Sequence, residues 1–147
     1  MATGATINSR ASIYCHRGLS IHTSPVVWEM IINGDAPNFT NSTAWLRFDA
    51  RTRPAGDNDI GFGWKIVNGR IWAWNADGNN HNLTDTGVDI GAWGNATPRI
   101  EYRHEAEKIH YYLANVLKAT HSTYLVNTYY GVRFEITNQV AADKRLR

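Results

Sequence analysis

The sequence predicts an all-β protein, folded as an antiparallel β-sandwich. Six Trp and seven Tyr, in a chain that is 43% hydrophobic, supply the aromatic side chains that strands prefer. Short runs of alternating apolar and polar residues recur at intervals of roughly 8 to 12 residues, and no segment shows a convincing helical period. These runs indicate about eight to ten strands. The 147 residues are enough for one domain with its own core.

Two strands are predicted in the first third of the chain. Residues 1–24 are polar and weakly patterned, so we expect an N-terminal arm or an edge strand ahead of a sandwich over residues 25–147. The run VVWEMII, residues 26–32, predicts a largely buried strand. The alternation in TAWLRFDAR, residues 43–51, predicts a strand with one core face and one solvent face. Its core face holds Ala44, Leu46 and Phe48, and its solvent face holds Trp45, Arg47 and Asp49.

The run GFGWKIVNGRIWAWN, residues 61–75, predicts a β-hairpin. Asn68-Gly69 between alternating runs favours a two-residue turn, because both central residues of such a turn need positive φ. The register then pairs Lys65 with Trp72 and Gly63 with Trp74. The expected core face is Ile60, Phe62, Trp64, Ile66, Ile71 and Ala73; the other face is Gly61, Gly63, Lys65, Val67, Arg70, Trp72 and Trp74.

Four further strands are predicted downstream of this hairpin. Residues 75–87 are expected to form a long polar loop, and residues 88–98 a connection. A second hairpin is predicted from RIEYRH and KIHYYL, residues 99–104 and 108–113. A tight turn at Ala114-Asn115 leads into VLKATHSTYL, and GVRFEITN, residues 131–138, is the last predicted strand.

Four stretches carry a family resemblance: IGFGWKIVNGRIWAWNADG, TDTGVDIGAWGNATPRIEYRH, KIHYYLANVLKATHS and FEITNQVAADKRL. Their order resembles the concanavalin A-like jelly roll, in the broad sense that includes laminin-G-like domains and many carbohydrate-binding modules. Because turns and alternation carry this resemblance, it implies a fold rather than an activity. The chain has Ala114-Asn115 where the family usually has Asp-Gly or Asn-Gly, and it stops one strand short. We expect the N-terminal segment, a neighbouring subunit or an open edge in that place.

Composition argues against several classes of partner. The net charge is +2 and the basic residues are scattered, apart from the last four residues, so no nucleic-acid surface is expected. Cys15 is alone, which excludes an intrachain disulfide and a cysteine-based zinc site. No secretion signal and no membrane span are expected, since no apolar run approaches about 18 residues. The sequons at Asn38, Asn41, Asn82 and Asn95 are attributed to polar loops.

Catalytic and metal-binding patterns are weak, so we expect neither an enzyme nor a cofactor. Jelly-roll glycanases carry Glu-x-Asp-x-x-Glu on one strand, and this motif is absent. Glu101, Arg103 and Glu105 are interpreted as a solvated charged face. Acidic loops of this kind can hold calcium in the resembled family, but turn formation by Asp explains them better. These loop residues are Asp57, Asn58, Asp59, Asp77, Asp85 and Asp89. The histidines are expected to be surface residues or hydrogen-bonded strand residues.

The strongest candidate site is an aromatic sheet face. Its candidate residues are Trp72, Trp74, Trp45, Lys65 and Arg70. Flat rings on a rigid sheet stack against sugars, whereas exposed Trp beside Arg is also typical of protein interfaces. Rings above cross-strand glycines can also be purely structural, with Lys65 over Trp72 as a cation–π pair. The residues alone leave these three interpretations open.

Two functional hypotheses follow from the resemblance and the missing motifs. Domains that resemble this one are common in virus particles, so the first hypothesis is a non-enzymatic structural protein of a virion, a capsid decoration or a tail or fibre module. Such a protein would form a homo-oligomer and would be assembled into the virion in the host cytoplasm. Its partners would be other structural proteins of the particle. The alternative is a carbohydrate-binding, lectin-like module that uses an exposed tryptophan platform. Neither hypothesis involves nucleic acid or a membrane.

Overall fold

The computed structural model describes residues 10–20, 26–29, 42–50, 59–89, 97–103, 106–126 and 129–138, which contain ten strands. The strands are β1 Arg10–Ser20, β2 Val26–Glu29, β3 Ser42–Asp49, β4 Gly61–Val67, β5 Arg70–Ala76, β6 His81–Asp89, β7 Pro98–Arg103, β8 Lys108–Leu113, β9 Val116–His121 and β10 Tyr129–Asn138. Within these ranges there is no helix long and apolar enough to cross a membrane.

Two antiparallel sheets pack face to face and confirm the predicted β-sandwich. The six-stranded sheet has the order β1-β10-β3-β4-β5-β6, and the four-stranded sheet has the order β2-β7-β8-β9. Side chains from both sheets meet in the core between them. Phe62 stacks on Tyr102 with ring centroids 5.4 Å apart, and Trp64 meets Tyr111 edge to face at 5.2 Å. Aromatic pairs of this geometry add to the free energy gained by burying apolar area.

The hairpin around Asn68-Gly69 has the predicted register. Lys65 pairs with Trp72, and Gly63 pairs with Trp74. Asn68 and Gly69 have φ of 51° and 86°, as a two-residue hairpin turn requires. The later turn uses Ala114 at φ 49°, a conformation that costs an alanine about 1 kcal/mol.

Two segments differ from the sequence predictions. Residues 81–89, expected within a polar loop and a connection, form the edge strand β6, which is polar because most of its side chains are exposed. β2 is first in the order of the four-stranded sheet and its Val27 is 57% exposed, so the prediction of a largely buried strand was wrong at Val27. Residues 30–32 of the predicted strand lie outside the described ranges. In the N-terminal segment, residues 10–20 form β1, which pairs antiparallel with β10, and residues 1–9 and 21–24 lie outside the described ranges.

Candidate functional site

The candidate residues share the outer face of the six-stranded sheet, the side turned away from the four-stranded sheet. The register across the strands arranges this face in rows. One row contains Glu135, Trp45, Lys65, Trp72 and Asp85, and the next contains Arg133, Arg47, Gly63, Trp74 and Leu83. The prediction that these tryptophans lie on the opposite side of the sheet from the core face of the hairpin is therefore confirmed.

The middle of the outer face is buried. Trp45 is 4% exposed, and Trp74 and Arg47 are both 0% exposed. The predictions that Trp45, Arg47 and Asp49 face solvent, and that Trp45 and Trp74 form an exposed platform, were wrong. Alternation along a strand shows which side chains share a face, but it does not show whether that face is covered.

Charged and aromatic side chains contact one another in the buried middle of the outer face. We call this group the Arg47 cluster: Trp45, Arg47, Asp49, Asp59 and Trp74. Arg47 Nη2 lies 3.0 Å from an oxygen of Asp49 and 3.0 Å from an oxygen of Asp59. Its guanidinium carbon lies 4.8 Å from the Trp45 ring centroid and 5.0 Å from that of Trp74. Burial lowers the pKa of Arg47, while the Asp49 and Asp59 charges oppose this shift. The cation is therefore surrounded by both of its preferred partners, carboxylates and aromatic rings.

Glycines on β4 make room for this cluster. A Cβ on Gly63 would lie 2.5 Å from both Cα and Cβ of Arg47, and a Cβ on Gly61 would lie 2.3 Å from the Phe48 carbonyl oxygen. These separations are far inside van der Waals contact, so β4 can approach β3 this closely only with glycine at both positions. Gly61 and Gly63 therefore allow the close approach of β3, and Gly63 is also the strand partner of Trp74 on β5.

One end of the outer face stays accessible, and we call it the Trp72 patch: Lys65, Arg70, Trp72, Asp85 and Asp89. Trp72 is half-buried, and its indole N–H is shielded from solvent without an acceptor among the described residues. Arg70 donates from Nε and Nη2 to the two oxygens of Asp85, at 2.8 and 3.2 Å. It also donates from Nη1 to Asp89 at 3.4 Å.

A bulge in β6 brings both aspartates to Arg70. Trp72 pairs with Asp85 and Arg70 pairs with Asp89, so the register shifts between the two pairs. Gly87 lies between the aspartates at φ 75°, the left-handed conformation that many bulges need. Its N–H donates to Asp85 at 2.9 Å, and this bond, followed by the Arg70 contact, lowers the pKa of Asp85.

The five predicted site residues are thus divided by the structure. Trp45 and Trp74 are buried, whereas Trp72, Arg70 and Lys65 retain exposed surface. The Lys65 ammonium lies 5.0 Å from the ring centroid of Trp45, where Trp72 was the expected partner. Sequence reasoning missed Asp85 and Asp89 as site residues because it placed Asp85 in a loop and Asp89 in a connection. Their even spacing in TDTGVD was the available signal, since residues an even number apart share one side of a strand.

Other polar residues have local roles. Glu101 is buried between Arg99 and Arg103 on the four-stranded sheet, so the predicted solvated face was wrong at this residue, and Glu105 lies outside the described residues. Asp77 accepts bonds from the N–H groups of Asn80 and Asn79, which lower its pKa and confirm the predicted turn role. No group of metal-ligating side chains occurs in the described ranges.

Two histidines are hydrogen-bonded strand residues, as predicted. His110 Nδ1 lies 3.0 Å from the Thr120 hydroxyl. His121 is buried beside Tyr111 and its Nε2 lies 2.9 Å from the Thr84 hydroxyl. Burial lowers the pKa of His121 from 6.5 to about 4, so its ring is neutral at pH 7.

No protein-family model matches the chain, and no curated protein matches it at a significant level. Its structure is similar to the Emp46p carbohydrate recognition domain, with a TM-score of 0.66 and 10% identity over 97% of this chain and 76% of that chain. The Emp47p carbohydrate recognition domain gives a TM-score of 0.65 and 13% identity over 97% and 77% of the two chains. A glycoside hydrolase family 16 endo-glucanase from Bacteroides ovatus gives a TM-score of 0.61 and 9% identity over 96% of this chain and 67% of that chain.

At these identities the likeness establishes architecture and leaves activity open. Its coverage extends over nearly the whole chain in all three comparisons. The fold of this protein is a concanavalin A-like jelly-roll sandwich, shared with carbohydrate recognition domains and glucanases.

Proposed function

We propose that this domain binds carbohydrate, as a lectin-like module, through the Trp72 patch. The observation that carries the proposal is the position of Trp72: it is half-buried and stands beside a carboxylate-bound arginine, while Trp45 and Trp74 are buried. Support also comes from the fold neighbours, of which two are described as carbohydrate recognition domains. This favours the lectin-like alternative over the virus-particle hypothesis.

The Trp72 patch offers the two kinds of contact that sugars need. An indole ring held between its strand neighbours Lys65 and Asp85 presents apolar surface to the C–H face of a pyranose. Asp85 and Asp89 are 40% and 66% exposed, so their oxygens can accept hydrogen bonds from hydroxyl groups.

The Arg47 cluster is not proposed as a binding surface. Its two rings are buried, and its carboxylates already contact Arg47, with Asp49 also 3.0 Å from Arg133 Nε. The same contacts make Asp49 and Asp59 unsuitable as a catalytic acid and base, because each carboxylate is held by arginine. We therefore propose binding without hydrolysis, and the release of reducing ends from a panel of polysaccharides would contradict it.

A glycan array with two matched variants tests the proposed binding. Trp72→Ala removes the ring of the patch, and Tyr112→Ala removes a half-buried ring from the outer face of the opposite sheet, where Arg99 lies 4.0 Å from its centroid. We expect binding by the wild type and by Tyr112→Ala, and a loss of at least about tenfold in Trp72→Ala. Equal loss in both variants, or no binding by the folded wild type, would overturn the proposal.

A structural role in a virus particle stays a prediction, as does a homo-oligomer. The protein's fold neighbours Emp46p, Emp47p and the Bacteroides ovatus endo-glucanase are carbohydrate recognition domains and a glycoside hydrolase. Sedimentation of the purified protein tests the oligomer: a single monomeric species across micromolar concentrations would contradict it.

A further inference from the structure

We propose that Asp85 and Asp89 make the Trp72 patch selective for uncharged sugars, by occupying Arg70 and repelling anionic ligands. This inference rests on the proposed carbohydrate binding and adds to it the class of sugar. It assigns a specificity role to two residues at the edge of the six-stranded sheet, both on the bulged strand β6.

Arg70 is already paired with two carboxylates. All three of its nitrogens donate to them: Nε and Nη2 form a two-point contact with Asp85, and Nη1 contacts Asp89. A carboxylate or sulfate on a ligand would have to use the two remaining N–H groups of Arg70 and share the guanidinium with two carboxylates. Arginine is the side chain best suited to bind such anions, so its pairing with Asp85 and Asp89 weakens the main anion receptor of the patch.

The four charges of the patch cancel, and an acidic residue, Asp85, is the direct strand partner of Trp72 on β6. Lys65 and Arg70 carry two positive charges, and Asp85 and Asp89 carry two negative charges. The Lys65 ammonium is turned toward Trp45, whereas Asp85 is the strand partner of Trp72 on its other side. A sugar stacked on the Trp72 ring would therefore lie beside the Asp85 carboxylate. A neutral sugar can donate hydroxyls to that carboxylate, while a uronate would be repelled by it.

Neutralising the two aspartates tests this selectivity. The double variant Asp85→Asn, Asp89→Asn keeps side-chain oxygens that can accept the Gly87 N–H and sugar hydroxyls, but leaves Arg70 without its counter-ions. Asp77→Asn is the control for a lost charge outside the patch: it removes one negative charge, half the change made by the double variant, from the turn between β5 and β6. The probes are neutral hexose oligosaccharides and uronic acid oligosaccharides of the same length, measured by calorimetry at low salt, with thermal melting to show that each variant is folded.

The wild type and Asp77→Asn are expected to bind a neutral probe at least about tenfold more tightly than its uronate counterpart. The double variant is expected to improve uronate binding by about tenfold. If the wild type binds neutral sugars and the double variant gains no affinity for uronates, the selectivity role is wrong while carbohydrate binding stands. Preference of the wild type for uronates also overturns the selectivity role alone. Binding of neither probe class by any folded form overturns both proposals.

Discussion

The Arg47 cluster and the Trp72 patch use the same residue types on the same face of one sheet, with opposite exposure. Each combines an arginine, two aspartates and tryptophan. Arg47 is completely buried, and its partners Asp49 and Asp59 are 0% and 4% exposed at the side chain. Arg70 is 36% exposed, and its partners Asp85 and Asp89 are 40% and 66% exposed. Composition and alternation do not distinguish the two groups, so burial decides which one is structural.

The comparison shows that the value of an ion pair depends on its access to water. Breaking a buried pair leaves a charge without compensation in a region of low dielectric constant, whereas an exposed pair is screened and its members regain hydration. The buried group can therefore contribute to stability, and the exposed group is free to serve a ligand.

The largest effect is expected from removing the buried cation. Arg47→Met should lower the free energy of unfolding by about 3–5 kcal/mol, because Asp49 and Asp59 would remain buried without their partner. Chemical denaturation measures this loss. Arg70→Met is the matched control, and its unfolding midpoint should stay within the error of the measurement. Similar midpoints for the two variants would refute the distinction between the two groups.

A second substitution tests the packing that surrounds Arg47. Gly63→Ala should cost about 3 kcal/mol, since its Cβ would lie 2.5 Å from the Arg47 Cα. Gly87→Ala, in the bulge beside the Trp72 patch, meets no atom within 4 Å and carries only the conformational cost of φ 75°, about 1 kcal/mol. Thermal or chemical denaturation of the pair should rank Gly63→Ala as clearly the more damaging, and the reverse order would show that the close approach of β3 and β4 is not essential.

The stability of the protein should also depend on pH through His121, which contacts Thr84 on the inner side of β6. Burial lowers the pKa of His121 from 6.5 to about 4, so between these values the unfolded chain binds a proton that the folded chain does not. The free energy of unfolding should therefore fall as the pH falls, by about 2 kcal/mol between pH 6.5 and 5. Denaturation curves of wild type and His121→Gln across this range isolate the effect. Parallel pH profiles for the two proteins would show that His121 does not cause it.

The smallest effect on stability is expected at Trp72. Trp72→Ala should lower the free energy of unfolding by about 1 kcal/mol, since the ring is only half-buried, whereas Trp74→Ala should cost about 3–5 kcal/mol. Denaturant unfolding compares the two variants directly. A loss at Trp72 as large as that at Trp74 would mean that the Trp72 patch is structural as well.

Local signals predicted the hairpin of residues 61–75 in detail. Asn68-Gly69 sets the turn, and the two-residue period of strands then determines each pair, including Lys65 with Trp72. The burial of Trp45 and Trp74 was beyond such signals, because coverage of a face depends on segments distant in the sequence. The contact of Arg47 with Asp59, for example, joins residues twelve positions apart, one on β3 and the other in the bend before β4. β6 was missed because polar residues such as Asn82 and Thr86 occupy its less exposed positions, so the strand has little apolar alternation to detect.

The most direct test of the central claim is an NMR titration of the protein with the neutral oligosaccharide that binds best on the array. Each tryptophan contributes one indole N–H signal, assigned through single Trp→Phe variants. Carbohydrate binding at the Trp72 patch predicts that the Trp72 signal shifts in a saturable way, because a sugar stacked on the indole ring changes the environment of the N–H that the ring carries. The signals of buried Trp45 and Trp74 should move little. Movement of the Trp45 or Trp74 signal with an unchanged Trp72 signal, or no saturable shift at all, would contradict the claim.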